Sequence, residues 1–297
     1  MFPGQGAQTV GMCRELYDSL PAARDLFDRA EVVLGFDLAE ICFNGPEEKL
    51  NATDISQPAL YVCSMAALES LKESDPEVVE DVPMAAGLSL GEYSAITFAG
   101  GISFEDGLQL VRKRGQAMQA ASDATPSGMV SVLGLDPDQV QLICDAAREE
   151  GEILQMSNFL CPGNIAVSGH QASCAVVSDI AAEMGAMKTI PLAVAGAFHT
   201  EIMRSAVEQL EQALGQVEIQ PLRIPVYSNV DAKPHTDPEE IRALLIQQVC
   251  SPVMWQDSMQ AMLDEGTERF YEVGPGRVLR GLLKRLARKT PCVGTLA

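Results

Sequence analysis

In the stretch Val82-Pro-Met-Ala-Ala-Gly87-Leu-Ser89-Leu-Gly91-Glu-Tyr-Ser-Ala-Ile96, an apolar run (Val82–Ala86) ends at Gly87, and a helical pattern of small residues begins near Glu92. Strand, tight turn and helix in that order form the unit of an α/β fold. The turn carries Gly87-Leu-Ser89-Leu-Gly91, a G-x-S-x-G. A nucleophile at the tip of so sharp a turn sits in strained backbone, and side chains two positions to either side would collide. The helix that follows aims its N-terminal amides at the same point, favouring the negative charge that develops in acyl transfer. The plainer reading is a glycine-rich turn whose serine caps a helix.

The N-terminal third reads as helices: Val10–Ser19, Ala22–Leu34 and a stretch from Pro58 to Leu71, with the proline allowed in the first turn. The segment from Gly128 to Leu192 has its own rhythm. A strand (Met129–Leu133) leads to a helix opened by Asp136-Pro137 and running to Glu149, then a strand (Ile153–Phe159). After a turn at Pro162-Gly163 come a strand (Ile165–Ser168), a helix (Ala172–Met184) and a strand (Met187–Leu192). That βαββαβ order predicts a ferredoxin-like subdomain. Beyond it the α/β character resumes: a helix from about Thr200 to Leu214, a strand Ile224–Asn229, helices after Asp237 and Gln256, and a strand Arg269–Val273. Gly274-Pro275-Gly276 then turns the chain into a last, basic helix. The expected architecture is α/β: a large α/β-hydrolase-like domain (1–127 and 193–297) interrupted by a ferredoxin-like insert (128–192).

Composition narrows the function. The 297 residues are 47% hydrophobic and 21% charged, ordinary for a chain with a real core. No run approaches the roughly 20 apolar residues of a membrane helix, and the start has no signal-peptide pattern; a soluble, cytoplasmic protein is expected. The formal net charge of −20 argues against nucleic acid and anionic membranes as partners. The eight cysteines are scattered, with no C-x-x-C pair and no histidine at ligand spacing, so neither a metal nor a redox motif is supported. They read as small buried hydrophobes. Six basic residues (Arg277, Arg280, Lys284, Arg285, Arg288, Lys289) cluster in a segment that contains none of the 41 acidic ones.

A serine nucleophile needs a base. Of the three histidines, His235 lies in a polar loop, and His170 opens a helix of the insert. His199, in Ala-Gly-Ala-Phe-His-Thr at a strand-to-helix junction, is the best candidate. One oxyanion donor would be the backbone N–H of Leu90. Another is offered by Phe2-Pro-Gly-Gln5-Gly, whose glycines let Gln5 approach a ligand closely. Arg114 lies on a small apolar stripe with Leu110, Ala117 and Ala121, so its guanidinium is buried and needs an anion. An internal salt bridge would serve; a carboxylated acyl substrate, matched by the planar fork, is the sharper alternative.

With these pieces in order, the sequence resembles the malonyl-CoA:acyl carrier protein transacylases and the acyltransferase domains of fatty-acid and polyketide synthases. The likeness spans essentially the whole chain and rests on several motifs in the same order. They are Phe2-Pro-Gly-Gln-Gly-Ala-Gln, Ser56-Gln-Pro-Ala, Gly87-Leu-Ser-Leu-Gly-Glu-Tyr, Arg114-Gly, Ser157-Asn, Gly196-Ala-Phe-His, Tyr227-Ser-Asn-Val, Ser251-Pro-Val and Glu272-Val-Gly-Pro-Gly. The resemblance implies a ping-pong reaction in fatty-acid biosynthesis. Ser89, activated by His199, takes malonyl from malonyl-CoA and passes it to the phosphopantetheine thiol of acyl carrier protein, with no bound cofactor. It further implies that Gln5 and Leu90 form the oxyanion hole and that Arg114 grips the free carboxylate. The histidine is oriented by a backbone carbonyl from near Gln248, and Asn158 borders the carrier channel. Ala197-Phe198-His199 resembles the malonyl-selective form. Leu88 stands where the family usually has histidine and borders the acyl pocket. The chain also opens at the Phe-Pro-Gly-Gln-Gly motif, without the strand the family places before it, which predicts an exposed sheet edge near Gln5. Acyl carrier proteins are acidic, so Arg280, Lys284, Arg285 and Arg288 are candidate docking residues on a monomer; a solvated helix face whose cations suit the C-terminal dipole is the plainer reading. The alternatives are a stand-alone acyltransferase of a polyketide or lipid assembly line, a serine esterase or thioesterase, and a non-catalytic docking module. An esterase of that fold carries its histidine late in the chain and would leave Arg114 without a task; a docking module would have lost Ser89, His199 or Arg114, and all three are present.

Overall fold

The computed structural model describes residues 1–295, a mixed α/β structure in which short parallel strands lie under long helices. Ala85–Ala86 pairs in parallel with Val226–Tyr227, which pairs antiparallel with Pro234–His235. On the other side Phe2 bridges Gly87 in parallel: its amide donates to Ala86 O at 2.9 Å and its carbonyl accepts from Leu88 at 3.0 Å. Met1 in turn lies beside Phe270–Glu272, its carbonyl accepting from the Val273 amide at 2.9 Å, and that strand pairs with Cys292–Gly294. The expected exposed edge near Gln5 is therefore corrected: Met1 and Phe2, both buried, fill the gap between the two half-sheets.

The strands are shorter than the apolar runs suggested, because only residues with a partner on the sheet make ladder bonds. Val82–Ala86 reduces to Ala85–Ala86, and Ile224–Asn229 to Val226–Tyr227. The helices carry the mass. Thr53–Ser74 is buried on nearly every face and packs against Phe104–Ala124. It starts five residues earlier than expected, so Pro58 lies inside it, not in its first turn. Three short helices (Leu38–Asn44, Glu47–Asn51, Pro76–Asp81) lack the length for a clear apolar period and were not foreseen.

Between Ser127 and Pro191 the chain builds a separate antiparallel sheet. In spatial order its strands are Leu154–Cys161, Asn164–His170, Ser127–Leu133 and Lys188–Pro191. Two helices (Pro137–Ala147, Gln171–Glu183) cover it and share with it an apolar core of its own. Asp136 and Gln139 close a capping box at the start of the first. The sheet joins the rest of the molecule at one edge: Val253 donates to Ser157 O at 2.8 Å and accepts from Phe159 at 2.9 Å. All eight cysteines are free thiols, five buried and three half-buried. Among the described residues no helix is long and apolar enough to cross a membrane.

Candidate active site

Ser89 stands at the turn between Ala85–Ala86 and the helix Gly91–Phe98, with φ of 51°. A left-handed serine is uncommon, and the surroundings enforce it. A Cβ at Gly87 would lie 1.9 Å from the Gly91 carbonyl carbon, and one at Gly4 would lie 2.3 Å from Leu88 O. Glycine at both places lets the turn close on itself and the Gly4-Gln5 loop lie against it. Asn229 pins the turn from the side, donating from Nδ2 to Gly87 O at 2.8 Å and accepting the Ser89 amide on Oδ1.

His199 follows the insert and is likewise left-handed (φ 62°). Its Nε2 lies 2.8 Å from Ser89 Oγ, and its Nδ1 2.8 Å from the backbone oxygen of Gln248. A carbonyl only accepts, so Nδ1 carries the proton and Nε2 is left to accept from the serine hydroxyl. Burial first, and the Arg114 charge second, lower the His199 pKa to about 4. Neither other histidine is near. His170 Nδ1 accepts the Ile153 amide at 2.8 Å. His235 sits in the short strand Pro234–His235, not in a solvated loop; it is held between Asp231 and Glu240, and those carboxylates raise its pKa against the effect of burial.

Arg114 comes from Phe104–Ala124 and is 1% exposed, with Leu110, Ala117 and Ala121 buried on its stripe. Among the described residues it makes no ion pair. Nη1 donates to Gln57 Oε1 at 2.8 Å, and Nη2 to Gln248 Oε1 and to Ser89 Oγ, both at 2.9 Å. Its buried Nε has no hydrogen-bond partner among the described residues. The internal salt bridge entertained from the sequence is thus absent there. Ser89 Oγ therefore accepts from Arg114 while it donates to His199.

The Gln248 side chain does more than the sequence suggested: Nε2 donates to Ser89 O at 3.1 Å and to Glu92 Oε2 at 2.8 Å. Glu92 also accepts the Asn229 amide at 3.0 Å. Burial pushes its carboxyl up to about 7, against those hydrogen bonds and the Arg114 charge. Gln57, Glu92 and Asn229 were not picked out from the sequence, although each lies inside a quoted motif. A buried Glu next to the G-x-S-x-G was the available signal.

A cleft of about 300 Å³ opens in front of Ser89, between the helices and the smaller sheet. Gln5, Leu88, Asn158, Leu160, Phe198 and His199 are among the residues that line it. Gln5 Nε2 reaches Thr53 Oγ1 at 3.5 Å, and the Leu90 amide makes no hydrogen bond among the described residues. Val278 and Leu282, from the helix Val278–Leu286, also line it. Lys284, Arg285 and Arg288 are exposed, though Arg288 lies past the helix end. Arg280 is half-buried and turns back to Glu272, at 3.4 Å. Among the described residues no group of three or more His, Cys, Asp or Glu could hold a metal ion.

A serine paired with a neutral, carbonyl-oriented imidazole can attack an acyl carbon, and the profile of the acyl transferase domain matches residues 1–292. The chain belongs to the acyl transferase family. This acyl transferase is 42% identical over 289 residues to the malonyl CoA-acyl carrier protein transacylase of Bacillus subtilis (strain 168), covering 97% of this chain and 90% of that one. It is 43% identical over 295 residues to the human mitochondrial malonyl-CoA-acyl carrier protein transacylase, covering 96% and 75%. An acyl-carrier-protein-S-malonyltransferase from Bartonella henselae superposes with a TM-score of 0.95 at 35% identity, over 100% and 94% of the two chains. A malonyl-transacylase solved in complex with its type II polyketide synthase acyl-carrier protein superposes with a TM-score of 0.94 at 34% identity, over 99% and 94%.

Proposed function

We propose that this acyl transferase moves the malonyl group of malonyl-CoA to the phosphopantetheine thiol of acyl carrier protein, through an ester on Ser89, in fatty-acid biosynthesis. The observation that carries the substrate class is Arg114. A buried guanidinium is costly without an anion, and this one makes no ion pair among the described residues while its Nη2 touches the nucleophile. The free carboxylate of a malonyl group supplies that anion at the required place.

The geometry of the site supports a two-step route. Ser89 Oγ gives its proton to His199 Nε2 as it attacks the thioester carbon, and the imidazolium is stabilised by Gln248 O. The oxyanion faces the Leu90 amide and Gln5. Collapse releases CoA, which takes the proton back from His199. The carrier's thiol then repeats the sequence in reverse on the malonyl-serine ester, with His199 again as base. Leu88 and Phe198 bound the acyl group, and Asn158 lies along the arm's approach. No bound cofactor enters any step.

His199 stays neutral until the pH approaches its lowered pKa of about 4, because burial and Arg114 both disfavour the imidazolium. The expected result is an acid limb of the Ser89 acylation rate well below the 6.5 of a free imidazole, read by rapid-quench mass spectrometry from about pH 8 downward. A limb near 6.5 that persists in Glu92→Gln, where the Glu92 carboxyl no longer titrates near 7, would exclude this histidine environment.

The fold reading goes with the function: a hydrolase-like domain (1–127 and 193–297) carrying a ferredoxin-like insert (128–192), as the strand order of the smaller sheet supports. The acyl transferase is read as a cytoplasmic monomer whose basic segment, chiefly Lys284, Arg285 and Arg288, steers the acidic carrier into a field of net charge −20. Arg280, committed to Glu272, contributes through the helix it anchors. Charge reversal at Lys284 and Arg285 is expected to raise the carrier KM about tenfold at low salt and to leave malonyl-serine formation unchanged. An unchanged carrier KM would remove the docking role.

The direct test is intact-protein mass spectrometry after brief exposure to malonyl-CoA and, separately, to acetyl-CoA. A malonyl adduct with little acetyl adduct supports the reading. No adduct and no CoA release would overturn it.

A further inference from the structure

We infer that Glu92 is the remote counter-charge of Arg114, a positioning carboxylate that acts through the side-chain amide of Gln248 and sets how strongly the guanidinium holds a carboxylated acyl group. This rests on the reading that Arg114 takes the carboxylate of the substrate.

The chain of contacts is short. Glu92 Oε2 accepts from Gln248 Nε2 at 2.8 Å, and Gln248 Oε1 accepts from Arg114 Nη2 at 2.9 Å. One amide thus separates the two charges. Glu92 is 3% exposed and Arg114 1% exposed, and among the described residues neither makes an ion pair. Two opposite charges buried this close would ordinarily meet in a contact pair, the arrangement that best offsets their desolvation. Here they do not meet, and the interposed amide is the reason. It turns its nitrogen to the acid and its oxygen to the base, so each ion keeps a polar partner while the guanidinium keeps its Nε donor. A carboxylate in direct contact with Arg114 would fill that fork and exclude the substrate.

The same acid also holds the nucleophile. Its Oε2 accepts the Asn229 amide, and Asn229 grips Gly87 O and the Ser89 amide. Gln248 Nε2 reaches Ser89 O as well. Glu92 therefore affects both the strength of the clamp and the shape of the turn, and the experiment must separate the two.

Loss of the charge has a direction. A negative group behind Arg114 weakens its pull on any second anion, so an uncharged residue there leaves the pocket more positive. Malonyl-CoA and acetyl-CoA share every charge except the acyl carboxylate, and the ratio of their KM values isolates that group. In Glu92→Gln, assayed at about pH 8 so that the wild-type carboxylate is ionised, the malonyl KM is expected to fall about tenfold relative to the acetyl KM. Turnover with both donors falls together, to the extent that the turn loosens. The effect on the KM ratio should shrink when Glu92→Gln is placed in an Arg114→Ala background, because the acyl carboxylate is then no longer drawn to the guanidinium that Glu92 backs. If Glu92→Gln does not fold, Glu92→Asp is read on the same ratio. Its shorter side chain withdraws the charge from Gln248, and the ratio shifts in the same direction by a smaller factor. An unchanged KM ratio in a folded variant would overturn the proposal, as would an equal shift with Arg114 absent. A wild type that loads neither donor would instead fail at the transacylase reading, and this inference with it.

Discussion

Ser89→Ala leaves no malonyl adduct in the intact-mass spectrum and lowers malonyl transfer to carrier protein by about 10⁴-fold or more. Three features make this the largest expected effect. The hydroxyl is the group that forms the ester, so the ping-pong route closes when it is removed. It also joins His199 to Arg114, since Oγ donates to one and accepts from the other. And its left-handed backbone, set by Gly87 and by Asn229, brings no other nucleophile to the same point. Because serine and histidine act as a unit, adding His199→Ala should cost little more, as such groups are strongly non-additive. A persistent adduct in Ser89→Ala would relocate the nucleophile.

Arg114→Ala comes second and changes selectivity as well as rate. Truncating one partner of a buried, hydrogen-bonded charge pair costs enough to lower kcat/KM for malonyl-CoA by about 10² to 10³-fold. Acetyl-CoA has no carboxylate to lose, so its loading should hold or rise until it overtakes malonyl. The alternative is that Arg114 mainly steadies Ser89 Oγ and the two glutamines. In that case both donors suffer alike, and competition between them in one reaction read by mass decides the matter. Arg114→Lys is expected to recover little, because an ammonium cannot span the same three acceptors in a plane.

The turn at Ser89 and the buried position of Arg114 were legible because each is a local pattern. The first needs a strand, two glycines and a helix within fifteen residues, and the second needs only an apolar stripe at helical spacing. The order of elements between Gly128 and Leu192 was legible for the same reason, with observed ends within a few residues of the expected ones. Gln248 was legible only as a backbone oxygen. Its side chain meets Ser89 from 159 positions away, and a glutamine at the end of Pro238–Gln248 looks like any polar helix terminus. Asn229 and Glu92 are similar: their partners are 142 and 156 positions distant, and no local period encodes such a meeting. The place of Met1 and Phe2 escaped notice because pairing across the whole chain leaves no mark on a two-residue stretch.

That pairing has a consequence for how the molecule comes to be active. Phe2 is bonded to Ala86 and Leu88, and Met1 to Val273, so the loop bearing Gln5 is set only when both half-sheets have closed. The nucleophile, its base and the carbonyl behind that base arrive from three further segments. Contacts of such long sequence separation form late, because the loops between them must be closed first. The smaller sheet is built from near neighbours and can form early without any of this. Regained activity on refolding should therefore trail the return of helical signal, and turnover reports the closing of the last seam.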